Sequence, residues 1–202
     1  AARGLLYACA CSRRQIADAT GHAARGSEPA GELRYPGTCR ERGLPLEAGL
    51  AWRMRLPAGA ERFDDAALGL QCQTPEAQCG DLAIRDRRGH WTYQFAVVVD
   101  DLREDVSLVV RGLDLLASTA RQIQLGRLLG RDVPPVFYHH GLLWKSPSRK
   151  LSKADGDSGV RALRAAGWTA EAVLGEAAHR VGLRASPRPL PAAAAADLFT
   201  GA

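Results

Sequence analysis

The 202-residue sequence predicts an α/β fold with a largely parallel sheet. Three consecutive patterns after Gly80 indicate this fold class. The β-branched run VSLVVRG ends at Gly112, the partly apolar stretch TARQIQLGRLLG follows a capping Ser118 and stops at Gly130, and the apolar segment VPPVFYHHGLLW comes next. Strand and helix signals that alternate in this way are typical of α/β domains.

The segments before Gly80 are less regular. Residues 1–48 are loop-dominated apart from a short helical stretch at 13–19, and residues 50–56 alternate apolar and basic side chains as a half-buried strand does. We expect residues 57–80 to be irregular. Beyond them, DLAIRD and HWTYQF flank the turn-forming RRG, and this arrangement predicts a hairpin.

Two short helices are expected to close the fold. Asp157 or Ser158 should cap the first and Thr169 the second, and Gly167 and Gly182 should end them. An alanine-rich tail follows, with a final short helix expected in it. The patterns divide the chain into three predicted domains, residues 1–79, 80–148 and 149–202.

Composition restricts the class of protein. The hydrophobic share of 46% suits a globular chain with its own core, and no apolar run is long enough to span a membrane. The start has no secretory-signal pattern, so we expect a cytoplasmic protein without membrane contact, and a monomer. The net charge of +5 is compatible with a polyanionic partner such as RNA, without requiring one.

The N-terminal segment contains a candidate metal site. Cys9 and Cys11 form a Cys-x-Cys pair, and Tyr35 and Cys39 follow in LRYPGTCR. An odd total of five cysteines favours metal binding over a disulfide framework, and thiolates on a Gly/Pro-containing loop can converge on zinc. Buried or incidental thiols are the alternative explanation, because Cys-x-Cys alone is a weak signal.

A second set of candidates follows Gly80. Arg111 lies at the C-terminal end of a predicted strand, where ligands bind in open α/β sheets, and its planar group suits a carboxylate. A surface Arg–Asp pair is the alternative, and Tyr93 taken singly is a half-buried core aromatic. His139 and His140 are most simply structural.

Lysine usage marks a third candidate site. The chain has 27 basic residues, and only Lys145, Lys150 and Lys153 are lysines. Two of them lie in the loop RKLSKADGD, where mobile ammonium groups can follow a phosphate whose charge shifts during a reaction. A solvated loop is the alternative for so short a pattern.

Taken in order, YACACSRRQI, YPGTCR, GDLAIRD, YQFAVVVDD, VVRGLDLLASTARQIQLGRLLG and KLSK resemble the class I glutamyl-tRNA synthetase superfamily. The resemblance runs from about residue 5 to residue 183. Two features resemble the branch of the family that lacks an anticodon-binding domain. They are the tyrosine in the cysteine segment and the short stretch after KLSK. That branch activates glutamate with ATP and transfers it to the queuosine base of tRNA(Asp).

The resemblance implies a role for each candidate. Tyr93 and Arg111 match glutamate-binding residues, while Lys150 and Lys153 match the catalytic lysines of the second class I signature, with Lys153 contacting ATP and its Mg²⁺-bound phosphates. The zinc ligands are matched by Cys9, Cys11, Tyr35 and Cys39. The implied fold is the C-terminal half of a Rossmann-type catalytic domain with a zinc-bearing insertion at 1–79 and a small helical module at 149–202.

The resemblance also implies that the family's first half, with the other class I signature, should precede residue 1. We therefore expect a fragment that forms no glutamyl-adenylate by itself. Two alternatives remain open at this stage: part of a discriminating glutamyl-tRNA synthetase, and a zinc-stapled RNA-binding module without catalysis. The roles of Cys72 and Cys79 and of the alanine-rich tail are not indicated by any motif.

Overall fold

The computed structural model describes residues 1–21, 33–146, 149–150 and 159–199. The chain forms two compact units, Ala1–His140 and Gly141–Ala202. The three-domain division predicted above uses different boundaries and stays a prediction. Both sheets of the first unit combine strands from the two sides of residue 79.

The first unit holds seven strands and four α-helices within its described residues. The strands are β1 (Leu6–Cys9), β2 (Ala51–Met54), β3 (Glu61–Asp65), β4 (Gly69–Gln73), β5 (Leu82–Arg85), β6 (Leu108–Gly112) and β7 (Val136–His140). The helices are α1 (Arg13–Ala19), α2 (Pro75–Cys79), α3 (Tyr93–Arg103) and α4 (Thr119–Leu128), with a 3₁₀ helix at Leu113–Ser118.

The second unit contains short strands and helices. Its described elements are β8 (Trp144–Ser146), β9 (Arg149–Lys150), α5 (Val160–Ala165) and α6 (Ala170–Arg180), followed by 3₁₀ helices at Ala192–Ala194 and Ala196–Phe199. The strands β8 and β9 pair antiparallel. No helix in the described part of either unit is long and apolar enough to cross a membrane.

Two sheets organise the first unit. One is antiparallel with the order β1-β2-β5, and the other has the order β4-β3-β7-β6. In the second sheet β7 is parallel to both β3 and β6, and β4 runs antiparallel to β3. The predicted α/β class with parallel pairing is confirmed.

The two faces of the β6–β7 pair differ sharply. On one face Val109 and Phe137 pack with Ile123 of α4 in an apolar cluster, and Arg111 and His139 follow two positions further along the same face. Four apolar side chains on the opposite face are exposed by 41–60%, namely Leu108, Val110, Val136 and Tyr138. The polar site described below therefore lies on the face that α4 covers.

Residues 57–80 were expected to be irregular, and this expectation is wrong. They form β3, β4 and α2. In β3 the buried positions are Glu61, Phe63 and Asp65, so two of the three inward residues are acids. Each acid has a partner: Glu61 accepts from Arg127 at 2.5 Å and Asp65 bonds to His139. Buried carboxylates concealed the alternation that marks a strand.

The predicted hairpin after Gly80 is also wrong in its second half. A tight turn does return the chain, with one antiparallel bridge between Arg85 and Trp91, but α3 then begins at Tyr93. Phe95 and Val98 pack at helical spacing into the core beneath β5. Tertiary packing of this face outweighs the strand preference of the Val97–Val99 run.

Helix starts were predicted with mixed success. Thr169 caps α6 by accepting from the N–H of Ala172, as expected. Gly159 is the N-cap of α5, in place of Asp157 or Ser158, which lie outside the described residues. Ser118 is helical and caps nothing with its side chain, because the preceding 3₁₀ helix runs directly into α4.

The predicted glycine stops are confirmed. Gly167 and Gly182 follow the last residues of α5 and α6 with φ values of +85° and +80°, the left-handed conformation in which helices commonly end. The helical stretch predicted at 13–19 is α1, and the strand predicted at 50–56 contains β2.

Candidate active site and metal cluster

Three thiols meet at the N-terminal edge of the first unit. Cys9 is the last residue of β1, Cys11 immediately precedes the capped start of α1, and Cys39 lies on a loop. Their sulfur atoms all lie within 4.8 Å of one another, and the Sγ atoms of Cys11 and Cys39 are 3.5 Å apart. This separation is far beyond a disulfide bond of about 2.05 Å, so the thiols are free.

The phenol of Tyr35 completes the cluster. Its oxygen lies 3.3 Å from the Sγ atom of Cys9 and 4.0 Å from that of Cys11, and it accepts a hydrogen bond from the backbone N–H of Cys39 at 2.8 Å. The sequence-predicted set of four is therefore brought together, with Cys9, Tyr35 and Cys39 buried.

The donor set fits a zinc ion. Sulfur atoms bound to tetrahedral zinc at about 2.3 Å lie roughly 3.8 Å apart, close to the separation of Cys11 and Cys39. Hydrogen bonds donated by Ala10, Tyr35, Cys11 and Arg42 outweigh the effect of burial, which by itself raises the pKa of Cys39, and bring that pKa down to about 7. Burial and the neighbouring thiols raise the pKa of Cys11 to about 11. The thiol of Cys39 is thus readily ionised, while ionisation of Cys11 would depend on the cation.

A close backbone approach holds Tyr35 in place. Its N–H donates to the carbonyl of Cys79 at 2.9 Å, and a Cβ on the next residue, Gly80, would lie 2.0 Å from the carbonyl oxygen of Tyr35. Gly80 also has a φ of +66°. The loop that carries Tyr35 and Cys39, called the cysteine loop below, therefore requires glycine at position 80 for its contact with the end of α2.

A buried ion pair between Arg40 and Asp81 anchors the cysteine loop next to Cys39. Asp81 is 1% exposed and receives two bonds of 2.7 Å from Arg40 and one of 2.5 Å from the hydroxyl of Tyr7. Burial opposes ionisation of Asp81, but the bonds from Arg40 and Tyr7 outweigh it, and the pKa of this carboxyl is lowered. Arg53 stacks over the ring of Tyr35 at 3.6 Å.

The second set of candidates centres on Arg111. Its guanidinium is 8% exposed and donates to three side chains: Nη1 to Gln122 at 2.6 Å, Nη2 to Thr119 at 2.7 Å and Nε to His139 at 2.9 Å. None of these acceptors is a carboxylate. The alternative of a surface Arg–Asp pair is wrong.

Within the part of the chain that the structure describes, no carboxylate bonds directly to the guanidinium of Arg111. Among the described ion pairs, none includes Arg111, and only three of its five N–H groups are used by the three bonds above. Burial lowers its pKa, opposed by Tyr93 and by the charges of Asp101 and Asp65. A buried cation surrounded by neutral acceptors is a favourable site for an anion.

Tyr93 lies beside this cation at the start of α3. Its interaction with Arg111 is one cause that raises the pKa of the guanidinium. Tyr93 is 52% exposed and belongs to none of the core clusters of the described residues, so it is half-buried, as expected, but not a core aromatic. Tyr93 also lines a cavity of about 420 Å³, together with Cys11, Arg13, Asp81 and Gln94. The cavity separates the cysteine cluster from the start of α3.

Several polar residues of this site carry no sequence signal. Gln122 continues the network by donating to Gln94 at 2.8 Å, and Gln94 donates to the hydroxyl of Ser118 at 2.8 Å. Glutamines on helices are usually solvent-facing, and only the burial of Gln122 reveals its role. The lysine loop cannot be compared in the same way, because Lys153 lies outside the described residues and the side chain of Lys150 is not described.

The cluster, the buried arginine at a strand end and the parallel pairing define a class of enzyme domain. A family model described as tRNA synthetases class I (E and Q), catalytic domain, matches residues 2–187. The chain belongs to this family.

Curated relatives show which members of the family this chain is similar to. A Glutamyl-Q tRNA(Asp) synthetase of Bordetella bronchiseptica is 51% identical over 157 residues, which are 77% of this chain and 48% of the relative. A protein of the same name from Dechloromonas aromatica is 42% identical over 202 residues, covering 98% of this chain and 62% of the relative. The chain thus spans about half the length of the curated relatives it matches.

Solved structures show the same fold at greater distance. A glutamate tRNA ligase from Elizabethkingia meningosepticum, crystallised in complex with its amino acid, superposes with a TM-score of 0.64 at 22% identity. The superposition covers 86% of this chain and 40% of that chain. It confirms the fold as the glutamyl-tRNA synthetase type of catalytic domain.

Proposed function

We propose that this chain is part of an ATP-dependent ligase that activates glutamate and transfers it to the queuosine base of tRNA(Asp). Family membership supports the ligase class, and the names of the curated relatives support the acceptor. The observation that carries the proposal for this chain is Arg111, a buried guanidinium without a carboxylate partner in the described structure.

Arg111 and Tyr93 would bind the amino acid. A carboxylate beside Arg111 would supply the missing negative charge and use its remaining N–H groups, since a planar guanidinium binds carboxylates with two parallel bonds. The phenol of Tyr93, which interacts with Arg111, would bond the same substrate. The polar chain through Gln122 and Gln94 keeps the site rigid, so little reorganisation is needed on binding.

Activation joins a carboxylate oxygen of glutamate to the α-phosphorus of ATP and releases pyrophosphate. Attack by the nucleoside on the activated carbonyl then forms the new ester and releases AMP. We assign Lys150 and Lys153 to stabilisation of the phosphate charge that develops in the first step, on the strength of the KLSK resemblance. Mg²⁺ would accompany ATP as part of the substrate.

Zinc would serve as a structural ion in this proposal. Cys9, Cys11, Cys39 and Tyr35 would hold it, and it would fasten the loop that carries Tyr35 and Cys39 to the end of β1. The ion would supply folding free energy by binding thiolates, and none of these thiols is assigned a part in the reaction.

Acceptor specificity provides the test. The native protein that contains this sequence should be incubated with ATP, radiolabelled glutamate, and tRNA from cells with and without queuosine. Label confined to tRNA(Asp) that contains queuosine is the expected result. Label on tRNA(Glu) would instead identify a glutamyl-tRNA synthetase, and binding of tRNA without any labelling would support a non-catalytic RNA-binding module.

A further inference from the structure

Behind Arg111 lies a buried acid–imidazole pair that the proposed reaction does not use. The ring nitrogen Nδ1 of His139 is 2.5 Å from the Oδ2 atom of Asp65, and both residues are at most 2% exposed. The other oxygen of Asp65 accepts from the backbone N–H groups of Ala67, Leu68 and His139 at 3.0 to 3.3 Å. The carboxylate is therefore fixed on both oxygens.

The three residues sit side by side on neighbouring parallel strands. Asp65 ends β3, His139 is the penultimate residue of β7, and Arg111 is the penultimate residue of β6, directly opposite His139 in the strand register. All three are thus at the carboxyl ends of parallel strands, the edge at which open α/β sheets bind ligands.

The hydrogen bonds determine which ring nitrogen of His139 carries the proton. An arginine Nε always bears hydrogen and can only donate, so the Nε2 atom of His139 must accept the 2.9 Å bond from Arg111. The remaining proton of a neutral ring is then on Nδ1, where it is donated to Asp65. Thr119 lies 3.3 Å from Nε2 and 2.7 Å from Arg111, so its hydroxyl can link the two groups.

We propose that Asp65 and His139 are positioning residues that orient Arg111 for the amino-acid carboxylate. Asp65 holds His139 as the Nδ1–H tautomer, and His139 then accepts from the Nε edge of Arg111. With Thr119 and Gln122 bonded to the other two nitrogens, the plane of the guanidinium is fixed. The role of glutamate in this inference rests on the proposed function. The assignment of the tautomer rests on the hydrogen bonds alone.

The substitution Asp65→Asn separates positioning from folding. The asparagine side chain has the same shape as aspartate, and its amide oxygen can still accept from the three backbone N–H groups. Its NH₂ group, however, would donate to Nδ1 of His139 and drive the ring proton to Nε2. Two donors, Nε2–H and the Nε–H of Arg111, would then face each other across 2.9 Å. Asp64→Asn, on the same strand with an exposed side chain, is the matched control.

Nitrogen-15 NMR of the labelled 202-residue chain reads the tautomer directly, and titration with L-glutamate reads the consequence. We expect Nδ1–H in the wild type and in Asp64→Asn. In Asp65→Asn we expect Nε2–H, a shifted Arg111 Nε–H signal, an unchanged amide spectrum far from the site, and glutamate binding weaker by about tenfold, the usual effect of one lost bond to a charged group.

An unchanged tautomer in Asp65→Asn, or glutamate affinity equal to the wild type despite a changed tautomer, would overturn the positioning role. If the asparagine variant does not fold, the wild-type spectrum still decides, because Nε2–H there contradicts the inference. A wild-type chain with the Nδ1–H tautomer but no glutamate binding would count against the proposed substrate site and would leave the assignment of the tautomer standing.

Discussion

At the scale of single residues, the first unit uses buried polar groups where a small domain would normally use apolar ones. Arg111, His139, Asp65 and Asp81 are all nearly inaccessible. Each contacts two or more partners, so the cost of burial is offset only while the whole set stays intact. Single substitutions in these groups should therefore have large and specific effects.

Removal of two thiols tests the metal cluster. Purified protein should contain about one equivalent of zinc, and the double change Cys9→Ser and Cys11→Ser should release it and lower the thermal midpoint, because thiolate ligation stabilises the folded loop. Elemental analysis and thermal unfolding measure both effects. Cys72→Ser, at an exposed position on β4, is the control and should retain the metal. Equal metal content in the wild type and the double variant would contradict the zinc assignment.

The ion pair of Asp81 makes stability depend on pH in one direction. Its folded-state pKa is lowered, so its contribution is present above the unfolded value of about 4 and is lost as the pH falls through the folded value. Asp81→Asn should lower the free energy of unfolding by about 3 kcal/mol at pH 7, because Arg40 loses its buried partner. The difference from the wild type should shrink as the pH falls below about 4.

Denaturant unfolding at several pH values measures this dependence. Glu41→Gln is the matched control, because Glu41 pairs with Arg55 on the surface and should contribute little. A stability difference for Asp81→Asn that stays constant down to the acid limit would show that the carboxylate charge is not its cause.

At the scale of elements, the starts of α3 and α4 and the ends of β3, β6 and β7 carry the site. The sequence indicated β6, β7 and α4 correctly because their apolar runs are long and bounded by Gly112 and Gly130. It missed β3, whose inward positions are partly acidic, and it mistook the start of α3 for a strand. Both failures arise from tertiary contacts that no local pattern contains.

The candidate site was predictable to a similar extent. The four members of the cysteine cluster and the pair Tyr93 and Arg111 follow from motif order. The residues around Arg111 do not, because Gln122, Thr119 and Asp65 are brought to it from α4 and β3 by the fold. Residues that come together from different strands and helices have no regular spacing in the sequence by which they could be recognised.

Gly80 tests the docking of the cysteine loop on α2. Gly80→Ala should destabilise the protein by about 2 kcal/mol or more, because its Cβ would collide with the carbonyl of Tyr35 at 2.0 Å in addition to the cost of a positive φ. The variant should also lose zinc to a chelator faster. Gly69→Ala is the control, since Gly69 has a similar φ of +69° and open space around it. Equal destabilisation by both changes would show that backbone conformation alone is responsible.

At the scale of the whole molecule, the first unit has a site on one side of its parallel strands and an apolar surface on the other. Parallel sheets are normally covered on both faces, yet Leu108, Val110, Val136 and Tyr138 are exposed and adjacent in the register of β6 and β7. The chain matches about half the length of its curated relatives.

The apolar surface should be measurable in the isolated chain. The double change Val110→Lys and Val136→Lys should reduce the fluorescence of a bound hydrophobic dye, because these side chains are 60% and 52% exposed at the centre of the patch. Leu70→Lys, at an exposed position on β4 outside this patch and separated from β7 by β3, should have a much smaller effect. Dye binding that is insensitive to the double change would place the apolar surface elsewhere.

The central claim is that Arg111 and Tyr93 form a carboxylate site for glutamate. The most direct measurement is an NMR titration with L-glutamate of the side-chain Nε–H signal of Arg111. The affinities of the wild type, Arg111→Lys and the exposed control Arg103→Lys are compared through the backbone amide signals around the site. The proposed site predicts a saturable 1:1 shift for the wild type and for Arg103→Lys, and weaker binding by about tenfold or more in Arg111→Lys because the planar fork is lost. A signal unmoved by saturating glutamate, or equal affinity in Arg111→Lys, would contradict it.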